Sequence, residues 1–165
     1  VPCVLDADAL NNLATTHQWW KRLNAHAVLT PHPGEMERLV EHSVDELQQE
    51  RVNVSKEAAH RWGQVVTLKG AFTIIASPTG ATRLNPNANP ALGSGGTGDV
   101  LSGMIVGLMA QGLSPYDAAS CGVYLHSLAG SSWSNRNGNS GLLASDLLSE
   151  IPQVMKALRE EIPRP

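Results

Sequence analysis

Apolar positions recur with two periods along this chain. Val1 to Leu5 is a short apolar run with few polar interruptions and reads as a buried parallel strand; Ala27 to Thr30 reads as a second strand, and Val65 to Leu68 is strand-like. Phe72 to Ala76 and Ala81 to Leu84 flank Ser77-Pro78-Thr79-Gly80, a turn with proline at its second position. That pattern predicts a β-hairpin over 72–84. Elsewhere the period is helical. Val100, Leu101, Met104, Ile105, Leu108 and Met109 mark one face of a helix, with Gly112 just past its end. Met36, Leu39 and Val40 start an earlier helix. Ser43-Val44-Asp45-Glu46 is a capping box, opening a helical region that Gly63 closes after Trp62. Ser114-Pro115 opens a helix through Ala129. Trp133 to Gly141 is polar and reads as a loop. Ala144 to Glu160 is a last helix before Ile162-Pro163.

The densest chemistry lies in Gly93-Ser94-Gly95-Gly96-Thr97-Gly98-Asp99, at the start of the Val100 helix. A glycine loop feeding a helix N-terminus offers unpaired N–H groups and partial positive charge, which suits phosphate. Gly93, Gly95 and Gly98 match G-x-G-x-x-G, with Asp117 as a candidate ribose acid. A dinucleotide fold needs a strand directly before that loop. Asn85-Pro86-Asn87-Ala88-Asn89-Pro90 is not one, and Asp117 belongs to the helix start at Ser114. Gly93 and Gly98 also have Walker A spacing, but Asp99-Val100 stands where Lys-Ser/Thr is required. A carboxylate there does not neutralise phosphate; it accepts a proton from a hydroxyl. The plainer role for Asp99, complementing the helix dipole, is worth roughly 0.3–1 kcal/mol. Behind a glycine loop, the catalytic reading is preferred.

Other polar groups fall at strand ends, where open α/β sheets bind ligands. Asp6 and Asp8 follow the first strand. Asp8 alone reads as the cap of the next helix; a cation held by the pair is a weaker reading. His32 is framed by Pro31 and Pro33 after the second strand. Binding and structural roles are evenly balanced there. Lys69, beside Gly70 after the third strand, is either a solvated lysine or a phosphate partner. Trp19, Trp20 and Trp62 read as packing residues. Gly103 and Gly107 read as points of close helix approach.

Length and composition fit one soluble domain. The 165 residues are 42% hydrophobic and 16% charged, with net charge −3. Slight acidity gives no reason to expect nucleic acid or a membrane surface as partner. The longest apolar run, Val100 to Ala110, is too short to span a bilayer. Two cysteines, Cys3 and Cys121, are too few for a disulfide framework, and a reducing cytoplasm is expected.

Gly95 to Gly103, the asparagine-rich loop before it and the helix after it resemble the ribokinase-like superfamily. Within that superfamily they resemble the ADP/ATP-dependent NAD(P)H-hydrate dehydratases. Leu5 to Asn11, Thr30 to Glu35 and Lys69 to Thr73 resemble further runs of that family, in its order, over nearly the whole chain. The resemblance implies an α/β fold of three αβα layers, a mostly parallel sheet with a β-hairpin, over a single domain at 1–165. Family members carry a further segment ahead of Val1, so N-terminal strands are expected to be missing. The implied activity is dehydration of hydrated NADH and NADPH, coupled to hydrolysis of ADP or ATP with Mg²⁺. A ring hydroxyl is phosphorylated and phosphate is then eliminated. Asp99 is implied as the base, with His32, Asp6 and Asn11 also on the hydrate. Lys69, Gly70, Ala71, Phe72, Thr73, Gly96, Thr97 and Gly98 are implied on the adenine nucleotide. No residue is assigned to a metal. Ala88 and Gly93 stand where the family has Gly and Ala, so a shifted loop path is expected. Expected partners are these small molecules, a second copy of the chain, and an upstream segment or epimerase domain. Two rivals stand beside this reading: a kinase acting on a small alcohol or vitamin precursor, and a fragment inactive without an upstream segment. Replacing His32 by alanine is expected to spare stability, because the two prolines hold the loop.

Overall fold

The computed structural model describes residues 1–40 and 43–161. Strands β1 (Cys3–Leu5), β2 (Ala27–Leu29), β3 (Val65–Leu68), β4 (Ile74–Ala76) and β5 (Thr82–Leu84) form one sheet in sequence order. The first three are parallel, with Val4 opposite Val28 and Val28 opposite Val65. β4 and β5 each run antiparallel to the strand before. Four strands, β1, β2, β3 and β5, thus run in one direction and β4 alone runs against them, as a mostly parallel sheet with a β-hairpin requires. Only residues 69–73 separate β3 from β4. A parallel crossover takes a dozen residues or more, so the chain has to reverse here. The hairpin also starts at Ile74, later than expected, because Phe72 has φ 56 and lies outside the extended region.

Alternate strand residues face opposite layers. Leu29, Val66, Leu68 and Ile74 pack with α1 (Asp8–Ala14), α2 (Pro33–Val40), α3 (Val44–Gln49) and α4 (Arg51–Trp62). Val28, Val65 and Ile75 pack with Leu101, Ile105 and Met109 of α5 (Thr97–Ala110) and Val123 of α6 (Pro115–Asn137). α7 (Ala144–Glu161) lies against α6 through Ala129 and Leu147. The result is three layers. Trp19 and Trp62 are buried with ring centroids 5.1 Å apart, as packing residues.

The caps follow the sequence. Ser43 and Glu46 form the reciprocal capping box of α3. Ser114 caps α6 and bonds Asp117, which is thus a helix-start residue. α6, however, runs on to Asn137, through the first half of the stretch expected to be a loop, and only residues 138–141 of that stretch are non-helical. Trp133 packs beside Ala129 and Leu147, while Ser132 and Arg136 both hold Glu150 of α7. A polar helix face that meets another helix looks like a loop in sequence. Close helix approach occurs at Gly122, not at Gly103 or Gly107, which face open space. A Cβ at Gly122 would lie 2.8 Å from Ile105 Cγ1. The expected end at Ile162-Pro163 lies outside the described residues.

Candidate functional site

The C-terminal ends of β1, β2 and β3 meet the N-terminus of α5. A cavity of about 540 Å³ opens there. Its walls are His32 and Pro33 after β2, Lys69, Gly70, Ala71 and Thr73 after β3, the loop from Asn85 to Ser94, and α5 at Thr97, Gly98 and Leu101. Val123, His126 and Ser127 of α6 close it.

A charged network underlies this mouth. Lys69 Nζ donates to Asp6 Oδ1 at 2.7 Å and lies 3.9 Å from Glu35 Oε2. Ser102 Oγ donates to Asp6 Oδ2 at 2.8 Å. Burial pushes the Asp6 carboxyl up, but the bonds from Lys69 and Ser102 outweigh it and hold the carboxyl below its usual range. A Cβ at Gly98 would lie 3.5 Å from Lys69 Nζ and 3.7 Å from Asp6 Oδ2, so the pair sits against the first turn of α5. Asp8 is not a cap. Ala7 is the N-cap of α1, with no side-chain bond, and Asp8 is the first helical residue. Asn11 bonds Arg38 at 2.9 Å and does not line the cavity. Among the described residues, no three His, Cys, Asp or Glu converge as a metal site.

His32 is more than a framed ring. It is the N-cap of α2, and Met36 N–H reaches its carbonyl. Its Nδ1 accepts the N–H groups of Gly34 at 3.0 Å and Glu35 at 3.3 Å. Glu35 reaches back to accept the His32 N–H at 2.7 Å. This is a capping box built with histidine. Because Nδ1 accepts, the ring proton is assigned to Nε2.

α5 starts differently. Its N-cap is Gly96, at φ 84, with no side-chain cap. Thr97 N–H reaches Ser94 O at 3.4 Å and Asp99 N–H reaches Gly96 O at 3.1 Å. The N–H groups of Gly96 and Gly98 make no hydrogen bond among the described residues. Nor does the Asp99 carboxylate, which is exposed beside Gly96 and outside the cavity wall. Ser102, three residues on, shares its helix face and holds Asp6. Behind this turn, Thr97 Oγ1 bonds the carbonyls of Leu92 and Ser94. His126 Nε2 lies 2.9 Å from the Thr97 carbonyl.

Of the expected nucleotide residues, Lys69, Gly70, Ala71, Thr73, Thr97 and Gly98 line the cavity, together with His32; Phe72 and Gly96 do not. Phe72 is exposed. Neither Ala88 nor Gly93 has positive φ, so the exchange of Gly and Ala there imposes no change of loop path. Sequence reasoning missed His126, Ser102, Glu35 and Arg51. Arg51 of α4 donates to the carbonyls of Leu68, Lys69 and Ala71 and so holds the turn after β3. Burial pushes its guanidinium below the usual value.

A family model described as NAD(P)H-hydrate dehydratase matches residues 1–153. The chain belongs to that family. It is 44% identical over 162 residues to the bifunctional NAD(P)H-hydrate repair enzyme Nnr of Moorella thermoacetica, covering 98% of this chain and 31% of that protein. It is 39% identical to the ADP-dependent (S)-NAD(P)H-hydrate dehydratase of Bacillus subtilis, covering 94% of this chain and 54% of that protein. A crystal structure of the Bacillus subtilis ADP/ATP-dependent NAD(P)H-hydrate dehydratase, co-crystallized with ATP/Mg²⁺, superposes with TM-score 0.85 at 40% identity. That match covers 94% of this chain and 55% of that one. A ribokinase-like superfamily protein of Enterococcus faecalis superposes at 0.78 with 26% identity, over 93% of this chain and 52% of its own. This dehydratase-family chain thus spans between about a third and about a half of the length of the relatives it matches.

Proposed function

We propose that this chain carries the nucleotide site and the proton-accepting residue of an enzyme that dehydrates hydrated NADH and NADPH. The observation that carries this is the uncapped start of α5, where the free N–H groups of Gly96 and Gly98 and the unpaired Asp99 carboxylate stand together, with Gly98 in the cavity wall and Gly96 and Asp99 just outside it. The names of the relatives supply the substrate. Bound nucleotide, ADP or ATP with Mg²⁺, supplies the phosphoryl group that turns the ring hydroxyl into a leaving phosphate. Gly96 and Gly98 donate N–H groups to phosphate oxygens, where the helix dipole adds to the attraction. Thr73, Gly70 and Ala71 line the nucleotide side. Lys69, anchored by Asp6, brings positive charge to Gly98. Asp99 accepts the hydroxyl proton. His32, Asp6 and Asn11 belong to the hydrate side, outside the nucleotide cavity except for His32 at its rim.

β1 pairs only with β2, and its other edge is open among the described residues. An open edge favours a further strand. An upstream segment, a second copy of the chain, or an epimerase domain like the second activity of bifunctional relatives is the expected neighbour. A reducing cytoplasm is the expected compartment. Among the described residues no helix is long and apolar enough to cross a membrane.

The rival is a kinase that leaves phosphate on its substrate. Incubation of the protein with hydrated NADH, Mg²⁺ and ADP or ATP separates the two. Dehydration returns the absorbance of NADH in step with free phosphate. Accumulation of a phosphorylated substrate without NADH would establish the kinase.

A further inference from the structure

We propose that His126 is a positioning residue: its Nε2–H, donated to the Thr97 carbonyl, fixes the first turn of α5 with the Gly96 and Gly98 N–H groups aimed at phosphate. The ligand in this statement rests on the nucleotide reading above; the bond does not. His126 lies on α6, is 8% exposed, and meets Thr97 at 2.9 Å. A carbonyl only accepts, so the ring nitrogen facing it carries the proton. Burial lowers the histidine pKa to about 4; the Thr97 bond opposes this, and Lys69, the charged group that acts on the ring, adds to it. The ring is therefore neutral near pH 7, with one proton, and that proton is on Nε2.

Thr97 needs such an anchor. Its hydroxyl already ties it to Leu92 and Ser94 on the loop side. His126 ties its other end to α6. The same strip of α6 frames the loop before it. Ser127 bonds Asn85 and Asn87, Ser134 bonds Asn89, and a Cβ at Gly130 would lie 2.7 Å from Leu92 Cγ. Positions 126, 127, 130 and 134 fall on one side of a helix. One helix face thus sets the path from Asn85 to Thr97, and His126 makes its contact at Thr97, in the turn that carries the free amides.

The test uses His126→Leu, which keeps bulk and removes the donor, and His126→Gln, which keeps an N–H at the end of the side chain. Calorimetric titration with Mg²⁺–ADP should show a loss of about tenfold or more for leucine and a return to within about threefold for glutamine. The KM for nucleotide should rise in the leucine variant while the KM for the hydrate holds. Leucine binding ADP as the wild type does would overturn the proposal, as would a folded glutamine variant that fails to restore binding. Should the leucine variant not fold, ¹⁵N spectra of the wild-type imidazole decide. A neutral ring protonated on Nε2 supports the role, and a charged or Nδ1-protonated ring overturns it. A wild-type protein that binds no Mg²⁺–ADP would instead overturn the nucleotide reading, and the same spectra would still decide on His126.

Discussion

Two helices begin at this site with the same spacing and opposite outcomes. α2 starts His32-Pro33-Gly34-Glu35 and α5 starts Gly96-Thr97-Gly98-Asp99, each with an acid at its third helical position. In α2 every group is used. Glu35 accepts the His32 N–H, His32 Nδ1 accepts two N–H groups, and Pro33 has none to offer. In α5 the cap is a glycine with no side-chain oxygen. Two N–H groups and the acid are left over. A helix N-terminus attracts anions only where its own residues have not already satisfied it. That contrast, rather than glycine content, is the ground for proposing phosphate at α5 and a framing role for α2 beside His32.

The largest break in this contrast comes from the free acid. Asp99→Asn should lower turnover by about 10²–10⁴-fold, the usual worth of a positioned base. Affinity for Mg²⁺–ADP should hold, because the amide keeps the shape and the free N–H groups remain. Single-turnover rates beside calorimetry would show it. Retention of even a tenth of the rate, a difference of about 1.4 kcal/mol, would make Asp99 as idle chemically as Glu35.

The open end also depends on a neutral ring behind it. Histidine has an ordinary pKa near 6.5, and His126 is lowered to about 4 by burial. The unfolded chain therefore takes up this proton first as pH falls. Stability from this group is complete above about 6.5 and is lost toward 4, by roughly 3 kcal/mol. Asp6, held below the ordinary carboxyl value, adds its own loss only at lower pH. Urea denaturation at stepped pH should be steep for the wild type and flatter for His126→Gln. Equal slopes would mean that the imidazole is hydrated.

The motifs of the open end were legible because they are local. Glycine spacing, Asp99 and the apolar face of α5 lie within a few turns of one another. So were Ser43, Gly63 and Gly112, which cap by sequence neighbours. His126 was not, because its period placed it on a helix otherwise read as packing, and its partner is a backbone carbonyl 29 residues away. Arg51 was hidden in the same way, bonding carbonyls 17 to 20 residues on. Lys69 was visible as a cation, but not its pairing with Asp6, 63 residues earlier. The hairpin of β4 and β5 was legible from its turn, whereas the antiparallel pairing of β3 with β4 was not drawn, although its cause, a turn too short for a crossover, was in the sequence.

A smaller effect is expected from closing the open end with a side chain. Gly96→Ala puts a Cβ at φ 84, at a cost of about 1–2 kcal/mol. That Cβ would also stand 3.1 Å from Ala144 Cβ. Stability and Mg²⁺–ADP affinity should fall together. Gly34→Ala in α2 is the matched control. Its φ is ordinary, and its Cβ would meet only the His32 ring, at 3.1 Å. It should disturb the cap and leave nucleotide affinity in place. Equal loss of nucleotide affinity in both would end the distinction between the two helix starts.

The smallest effect concerns the closed end, and it revises the expectation from sequence. Pro31 and Pro33 hold the backbone beside His32, but neither supplies an acceptor for the N–H groups of Gly34 and Glu35. His32→Ala strips that acceptor and should cost about 1 kcal/mol of stability, the usual worth of an N-cap side chain. His32→Asn returns a cap oxygen without returning Nε2. That nitrogen carries the ring proton, lies 3.5 Å from Glu35 Oε1, and belongs to a side chain 52% exposed at the cavity rim. If it touches the hydrate, asparagine restores the denaturation midpoint and not the hydrate affinity. If asparagine restores both, His32 is a cap and nothing more. An alanine variant as stable as the wild type would show the reverse, that the prolines suffice and the two bonds to Nδ1 contribute nothing.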